Sequence, residues 1–303
     1  METITGTMQS PPQLDPDRWQ RVKTLWFGSV SSVEEIVFQE SGQAAILKQM
    51  HPEHLHDPGI AARCINEGLI LRFLHASGHA EGIPKLLAMG MLPSGCPALV
   101  LERLGDSLAE HLGDCGPQSS KTDKSLSLLF HVGLGISRAL GCVHGCGVVH
   151  RDVRPDNILF GPSLGGVPPN RWPQVYLIDF GLAKVFHPAV FLPISTGSDD
   201  ILGTDLYMAP EQWESAKHVT AQADIYSLGV VLYLLAAGRH PFEEERQKVL
   251  MYKHLVAPPP ELPNTIPKPL SELIAAMLSK RPQDRPTARE CTQRLLSFHR
   301  LSP

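Results

Sequence analysis

Acidic, amide and cationic side chains crowd one short stretch in the middle of this chain. His150-Arg151-Asp152-Val153-Arg154-Pro155-Asp156-Asn157 carries two carboxylates, an amide and two guanidinium groups within eight residues, and Asp179 follows after a loop in Asp179-Phe180-Gly181. Asn157 and Asp179 offer oxygen ligands of the kind a hard cation takes. A single Asp in such a place is more often a turn or helix cap than a chemical group, so the order of the whole run matters more than any one member. Upstream, Ala45-Ile46-Leu47-Lys48 ends a strand-like run on a cation, and a lone strand lysine is ordinarily a solvated edge residue. Cys142-Val143-His144-Gly145-Cys146 gathers thiol and imidazole groups that suggest a metal. Closely spaced residues at a helix end do not all face one ion, and the metal reading is set aside.

The elements that must hold these groups are legible from periodicity. Residues 1–15 are polar and Pro-containing with no apolar repeat, which reads as a flexible tail, and fold reasoning starts near Pro16. From Val22 to Leu101, β-branched runs such as Glu35-Ile36-Val37-Phe38, Ala44-Ala45-Ile46-Leu47 and Ala98-Leu99-Val100-Leu101 read as strands, with one helical pattern over Ala61–His75. After Gly105 the pattern turns helical over Leu126–His144, Asp224–Ala237, Glu243–Leu255, Leu270–Leu278 and Ala288–His299. Stretches 113–125, 161–174 and 187–201, rich in Gly, Pro, Ser and Asp, read as exposed loops.

Composition narrows the class. A chain of 303 residues with 43% hydrophobic content can bury a sizeable core, and a formal charge of -4 gives no general attraction to nucleic acid or anionic lipid. The six cysteines form no Cys-x-x-Cys pair and follow no secretory signal, which fits a reducing, intracellular and cytoplasmic setting. The run Ile225–Ala237 is the longest apolar stretch in this reading, too short to span a bilayer and flanked by Asp224, and it reads as a buried helix with no membrane insertion. Oligomeric state leaves no trace.

His150-Arg151-Asp152…Asn157, Asp179-Phe180-Gly181 and Ala209-Pro210-Glu211, in that order, resemble the catalytic loop, magnesium loop and activation-segment end of the eukaryotic-type Ser/Thr protein kinase family, over about residues 20 to 298. The resemblance implies an α+β, two-lobed fold: a small β-rich N-lobe over 16–104, a larger, mainly helical C-lobe over 105–299, and a tail at 300–303. It implies ATP and Mg2+ as cofactors and protein Ser/Thr side chains as the substrate. Asp152 would accept or orient the proton of the substrate hydroxyl, Asn157 and Asp179 would hold the metal, and Arg154 and Lys48 would meet the phosphates. Glu67, about twenty residues after Lys48 on the next helix, would be its ion-pair partner. The hinge would be Leu99–Gly105, with Leu101 as gatekeeper and the backbone of Glu102 and Leu104 at the adenine edge.

Asp224, Gly229 and Arg285 resemble large-lobe landmarks of the family, in which the late arginine pairs with the glutamate of Ala-Pro-Glu, here Glu211. That pair favours a protein substrate over a small molecule. Gly203-Thr204-Asp205-Leu206-Tyr207-Met208 resembles the Ser/Thr-directed docking loop, with Thr204 on the catalytic loop, whereas Arg154 stands where such kinases place a lysine, and the two cations are not interchangeable.

Two places depart from the family pattern. Where it has G-x-G-x-x-G, this chain has Gly28, Val30 and Val33, and a valine forced to positive φ would cost about 1–2 kcal/mol. Ile46 stands where a small alanine roofs the adenine. Both changes read as reshaping nucleotide binding. The rival reading they support is a pseudokinase, a scaffold that keeps the fold without turnover; the intact Lys48, Glu67, Asp152, Asn157 and Asp179 speak against it. Ser195, Thr196 and Ser198 precede Asp199 and Asp200, and Asp200 stands where the family often has an activating phosphothreonine; a permanent carboxylate there implies activity without loop phosphorylation, the alternative being a solvated acidic loop.

Overall fold

Period-two alternation builds the first sheet. In the computed structural model, which describes residues 12–114, 122–162, 173–186, 205–214 and 219–301, strands β1 (Trp19–Phe27), β2 (Ser31–Phe38), β3 (Ala44–Met50), β4 (Leu86–Met91) and β5 (Pro97–Glu102) form one antiparallel sheet in the order β1-β2-β3-β5-β4. One face is apolar: Ile36, Ala45, Leu47, Ala98 and Val100 pack with Trp19, Leu92 and Leu14 into a single cluster. The other face carries Val33, Lys48 and Leu99 in one cross-strand row and Glu35, Ile46 and Leu101 in the next. The backbone clusters into two units, the first comprising residues up to Arg72 with Lys85–Arg103, the second comprising Phe73–Pro84 and the described chain from Leu104 onward.

Helix α1 (Pro58–Ala76) starts where Asp57 Oδ1 accepts the N–H groups of Gly59 (2.8 Å) and Ile60 (3.3 Å). Gly68 brings it close to the sheet, since a Cβ there would lie 2.8 Å from Leu99 Cδ2. Pro12–Leu14, expected within a flexible tail, instead run beside β4. Met91 N–H donates to Pro12 O (2.9 Å), Leu14 N–H donates to Met91 O (2.8 Å), and Leu14 enters the core. A Pro-containing strip with no repeat of its own is ordered here by borrowing the sheet's edge.

In the second unit α5 (Ala221–Ala237) is apolar all round and buried from Ala223 through Tyr233. Gly229 lets α7 (Lys268–Met277) approach it: a Cβ would sit 2.9 Å from Met277 Cβ. α3 (Thr122–Gly145) packs on α5, on α8 (Ala288–Leu301) and on the short strand β8 (Val175–Leu177). Residues 122–125, expected in a loop, form its polar first turn. Among the described residues one helical stretch, Leu126–Gly145, is long and apolar enough to cross a membrane by length and composition, which corrects the expectation that Ile225–Ala237 is the longest apolar run. Half of it is buried in this unit. Two ladders complete the frame: β6 (Val148–Val149) pairs with β9 (Lys184–Val185), and β7 (Ile158–Phe160) pairs with β8.

Candidate active site

Those two ladders bracket the residues that carry chemistry. The run His150–Asn157 connects β6 to β7, and Asp179–Gly181 lies between β8 and β9, so antiparallel pairing brings both loops to one end. Ile178 N–H donates to Asn157 O (2.9 Å), and His150 Nε2 donates to Ile178 O (2.9 Å). With Nε2 carrying the proton, His150 Nδ1 accepts from Asp152 N–H (3.2 Å). The His150 ring meets Phe180 edge-on, with centroids 4.7 Å apart.

Buried Asp224 holds this loop in an expensive conformation. Arg151 (φ 71) and Asp179 (φ 65) are the non-glycine residues at positive φ among those described, and each costs about 1–2 kcal/mol that its surroundings must offset. Asp224 Oδ1 accepts Arg151 N–H (2.7 Å), and its Oδ2 accepts His150 N–H (2.9 Å) and His144 Nε2 (2.8 Å). Burial alone would push this carboxyl up, yet the His144 hydrogen bond and charge, with His150 and the Arg151 N–H, hold it below the usual carboxylate range. Gln212 adds a brace, donating to Arg151 O (3.1 Å).

Asn157 turns both amide hydrogens on Asp152, donating to its backbone O (2.9 Å) and its Oδ2 (2.8 Å). Asn157 Oδ1 therefore faces the other way. Asp152 Oδ1 is buried with no hydrogen-bond partner among the described residues. Burial first, then the negative charge of Asp179, raise the Asp152 carboxyl above its ordinary value. An outward amide oxygen beside a carboxylate is a donor set for a hard cation, and Mg2+ fits it. Arg154 closes its guanidinium on Asp156, through Nε (2.8 Å) and Nη2 (2.7 Å).

In the first unit Lys48 Nζ lies 2.8 Å from Glu67 Oε2, with side-chain exposures of 16% and 3%. Ile46 sits between Glu35 and Leu101 in the register, and Glu35 Oε2 meets Arg103 Nε (3.4 Å) and Lys23 Nζ (3.8 Å), so an ionic cluster shares the face of Lys48. Sequence reasoning missed it; the signal was Glu35 on the same strand parity as Val33. Glu102 ends β5, its N–H donating to Lys85 O (3.0 Å), and Leu104, buried, opens the chain's return to the second unit. Gly28 and Val30 form the β1–β2 turn, and Val33 lies within β2 opposite Lys48. None of these three has positive φ, so the turn does not ask its valines for the geometry that would strain them. Thr204, Ser195, Thr196, Ser198, Asp199 and Asp200 lie outside the described residues.

The expected late ion pair is present. Arg285 Nη1 and Nη2 donate to Glu211 Oε1 (2.7 Å) and Oε2 (2.9 Å), while the guanidinium also donates to the carbonyls of Ser279, Gln222 and Lys280. Tyr207 is pinned by Ser227 Oγ, which donates to its carbonyl (2.7 Å).

The sequence family described as the protein kinase domain matches residues 19–296. Serine/threonine-protein kinase PkaA of Streptomyces coelicolor is 31% identical over 270 residues, covering 88% of this chain and 45% of that protein. Serine/threonine-protein kinase PknA of Mycobacterium tuberculosis is 32% identical over 270 residues, covering 88% and 57%, and serine/threonine-protein kinase Pkn1 of Myxococcus xanthus is 32% identical over 268 residues, covering 87% and 36%. This chain thus spans about half the length of the curated relatives it matches, or less. With its sheet unit, its helical unit and a match along nearly its whole length, the chain belongs to the protein kinase family, of the eukaryotic type that these serine/threonine kinases represent.

Proposed function

We propose that this chain is an Mg-ATP-dependent protein kinase that transfers the γ-phosphoryl group to Ser/Thr hydroxyls of protein substrates inside the cell. The observation that carries the reading is the Asp152–Asn157 arrangement: a buried carboxylate oxygen without a partner among the described residues, beside an amide whose oxygen is turned outward. Asp152 takes the hydroxyl proton as the substrate oxygen bonds to the γ-phosphorus, and the bond from that phosphorus to the β-phosphate oxygen breaks to release ADP. Asn157 and Asp179 would hold the metal, which when bound would supply charge neutralisation for the phosphates. Lys48, held by Glu67, and Arg154, released from Asp156, are the phosphate cations. Leu101, Glu102 and Leu104 meet the adenine, Ile46 roofs it, and Gly28, Val30 and Val33 belong to the loop over the phosphates. By the family resemblance, Thr204 is the residue that favours Ser/Thr acceptors.

Asp152→Asn tests the assignment. Turnover of a peptide substrate should fall by about 10²–10⁴-fold with Mg-ATP affinity by calorimetry nearly unchanged. A variant that keeps wild-type turnover removes Asp152 from its role.

A further inference from the structure

The turn between β1 and β2 carries one glycine where the family pattern has three, yet its backbone is held from outside. Gly28 N–H donates to Ser31 O (3.0 Å), closing the turn on itself. His51 Nε2 donates to Gly28 O (3.0 Å), His54 Nε2 donates to Ser29 O (2.8 Å), and the backbone N–H of His51 donates to Val30 O (2.9 Å). Three successive carbonyls are thus fixed by two residues just beyond β3. His51 is buried, and its ring lies against Phe27 with centroids 4.4 Å apart, so the clamp also has an aromatic seat. His54 is part-exposed, with Glu53 Oε1 3.5 Å from the same Nε2. Because a trans peptide is planar, each C=O points opposite to the N–H of the next residue. Drawing the carbonyls of Gly28, Ser29 and Val30 toward the histidines therefore turns the N–H groups of Ser29, Val30 and Ser31 the other way. Successive backbone N–H groups aimed to one side are what a phosphate is bound by.

We propose that His51 and His54 are positioning residues for the phosphate-covering turn: by holding its carbonyls they present its amides to the nucleotide and replace the conformational service of the missing glycines. This rests on the nucleotide reading above. The residues act through the turn and touch no substrate, so they govern how well Mg-ATP is held and leave the rate of the chemical step alone.

Two readouts on the full chain test it. Hydrogen exchange of the Gly28 and His51 amides, which donate to Ser31 O and Val30 O, reports the clamp without any nucleotide: in His51→Ala/His54→Ala both should exchange about tenfold faster, with the rest of the sheet unchanged, whereas His54→Gln, whose amide can donate to Ser29 O, should stay close to wild type. Steady-state kinetics reports the consequence: KM for Mg-ATP should rise about 5- to 10-fold in His54→Ala and more in the double variant, with kcat within about twofold, and His54→Gln should recover most of the KM. Unchanged exchange in the double variant overturns the clamp. Faster exchange with an unchanged KM, in wild-type-like protein that turns over, overturns its role in nucleotide binding and leaves the kinase reading standing. A His54→Gln variant as impaired as His54→Ala overturns the hydrogen bond as the cause. Wild-type protein that binds no Mg-ATP by calorimetry overturns the nucleotide reading itself, and exchange of the Gly28 and His51 amides still decides whether the histidines hold the turn.

Discussion

At the scale of single residues the site is defined by what is left unpaired as much as by what is bonded. Asp152 holds a buried carboxylate with one oxygen satisfied by Asn157 and the other partnerless among the described residues, and its pKa is raised by burial and by Asp179. A raised pKa has two consequences of defined sign. In the proposed role Asp152 is lost as a base to protonation as pH falls through the raised value, so kcat/KM should show an acid limb above the ordinary carboxylate pKa of about 4. The charged form is also a cost to the fold: the stability tied to the protonated group is present below the unfolded value and lost as pH rises through the folded one. Asp152→Asn should therefore raise Tm at pH 7 by about 1–3 °C while turnover collapses, and the gain should shrink toward pH 4; calorimetric scans at the two pH values check this, and a lower Tm at pH 7 refutes it. The sequence singled these groups out because the proposed chemistry needs oxygen ligands and cations, and the structure brings Asn157 onto Asp152. The acceptor role of Asp224, the brace from Gln212 and the clamp of His51 and His54 were not, since a side chain that serves backbone groups leaves no periodic mark.

At the scale of elements, short-range signals succeeded where the pattern had room to repeat. The α1 and α5 helices and the alternation in β2 and β3 follow from residue spacing, and α1 carries Glu67 to Lys48. The two-residue strands β6 and β9 have no period to read, although they align the loops that carry Asp152 and Asp179. Helix α2 (Leu108–Asp114) was missed despite a readable cue: Ser107 and Glu110 form a reciprocal capping box, with Ser107 N–H on Glu110 Oε2 (2.7 Å) and Glu110 N–H on Ser107 Oγ (3.1 Å). A buried bidentate ion pair joins α4 (Pro210–Glu214) to the turn ahead of α8. Arg285 is fully buried at its side chain, so removing its partner strands a guanidinium charge. Glu211→Ala should cost about 2–4 kcal/mol in urea unfolding, and Glu211→Gln less because one acceptor remains. Equal stability of wild type and Glu211→Ala would show that the three carbonyls on Arg285 suffice alone.

At the scale of the whole molecule the fold class was legible because a strand-rich stretch is followed by a helix-rich one, while the acid sensitivity of the helical unit was not. His254 is buried on α6 (Gln247–Val256) against Tyr226, whose hydroxyl lies 2.9 Å from its Nδ1. Burial first, then the charge of Lys280 and His240, lower its pKa to about 3. Unfolding frees it to take a proton near pH 6.5, so between that value and about 3 the unfolded chain binds more protons and stability falls with pH, by a ceiling of about 5 kcal/mol. His254→Asn, which keeps an acceptor for Tyr226, should flatten the dependence of urea midpoints on pH between 7 and 4.5; a slope equal to wild type would assign the acid loss to other groups. The N-terminal strip shows a different lesson about legibility, since its order comes from β4 and not from itself. Gly90 makes the approach possible, because a Cβ there would lie 2.0 Å from Pro12 O. β4 ends the sheet, and Gln13 bridges to Met91 in parallel, so the chain occupies its own open rim. With Pro12 and Leu14 bonded to Met91, that end of the β4 rim has no free backbone groups left to offer a strand from a neighbouring molecule.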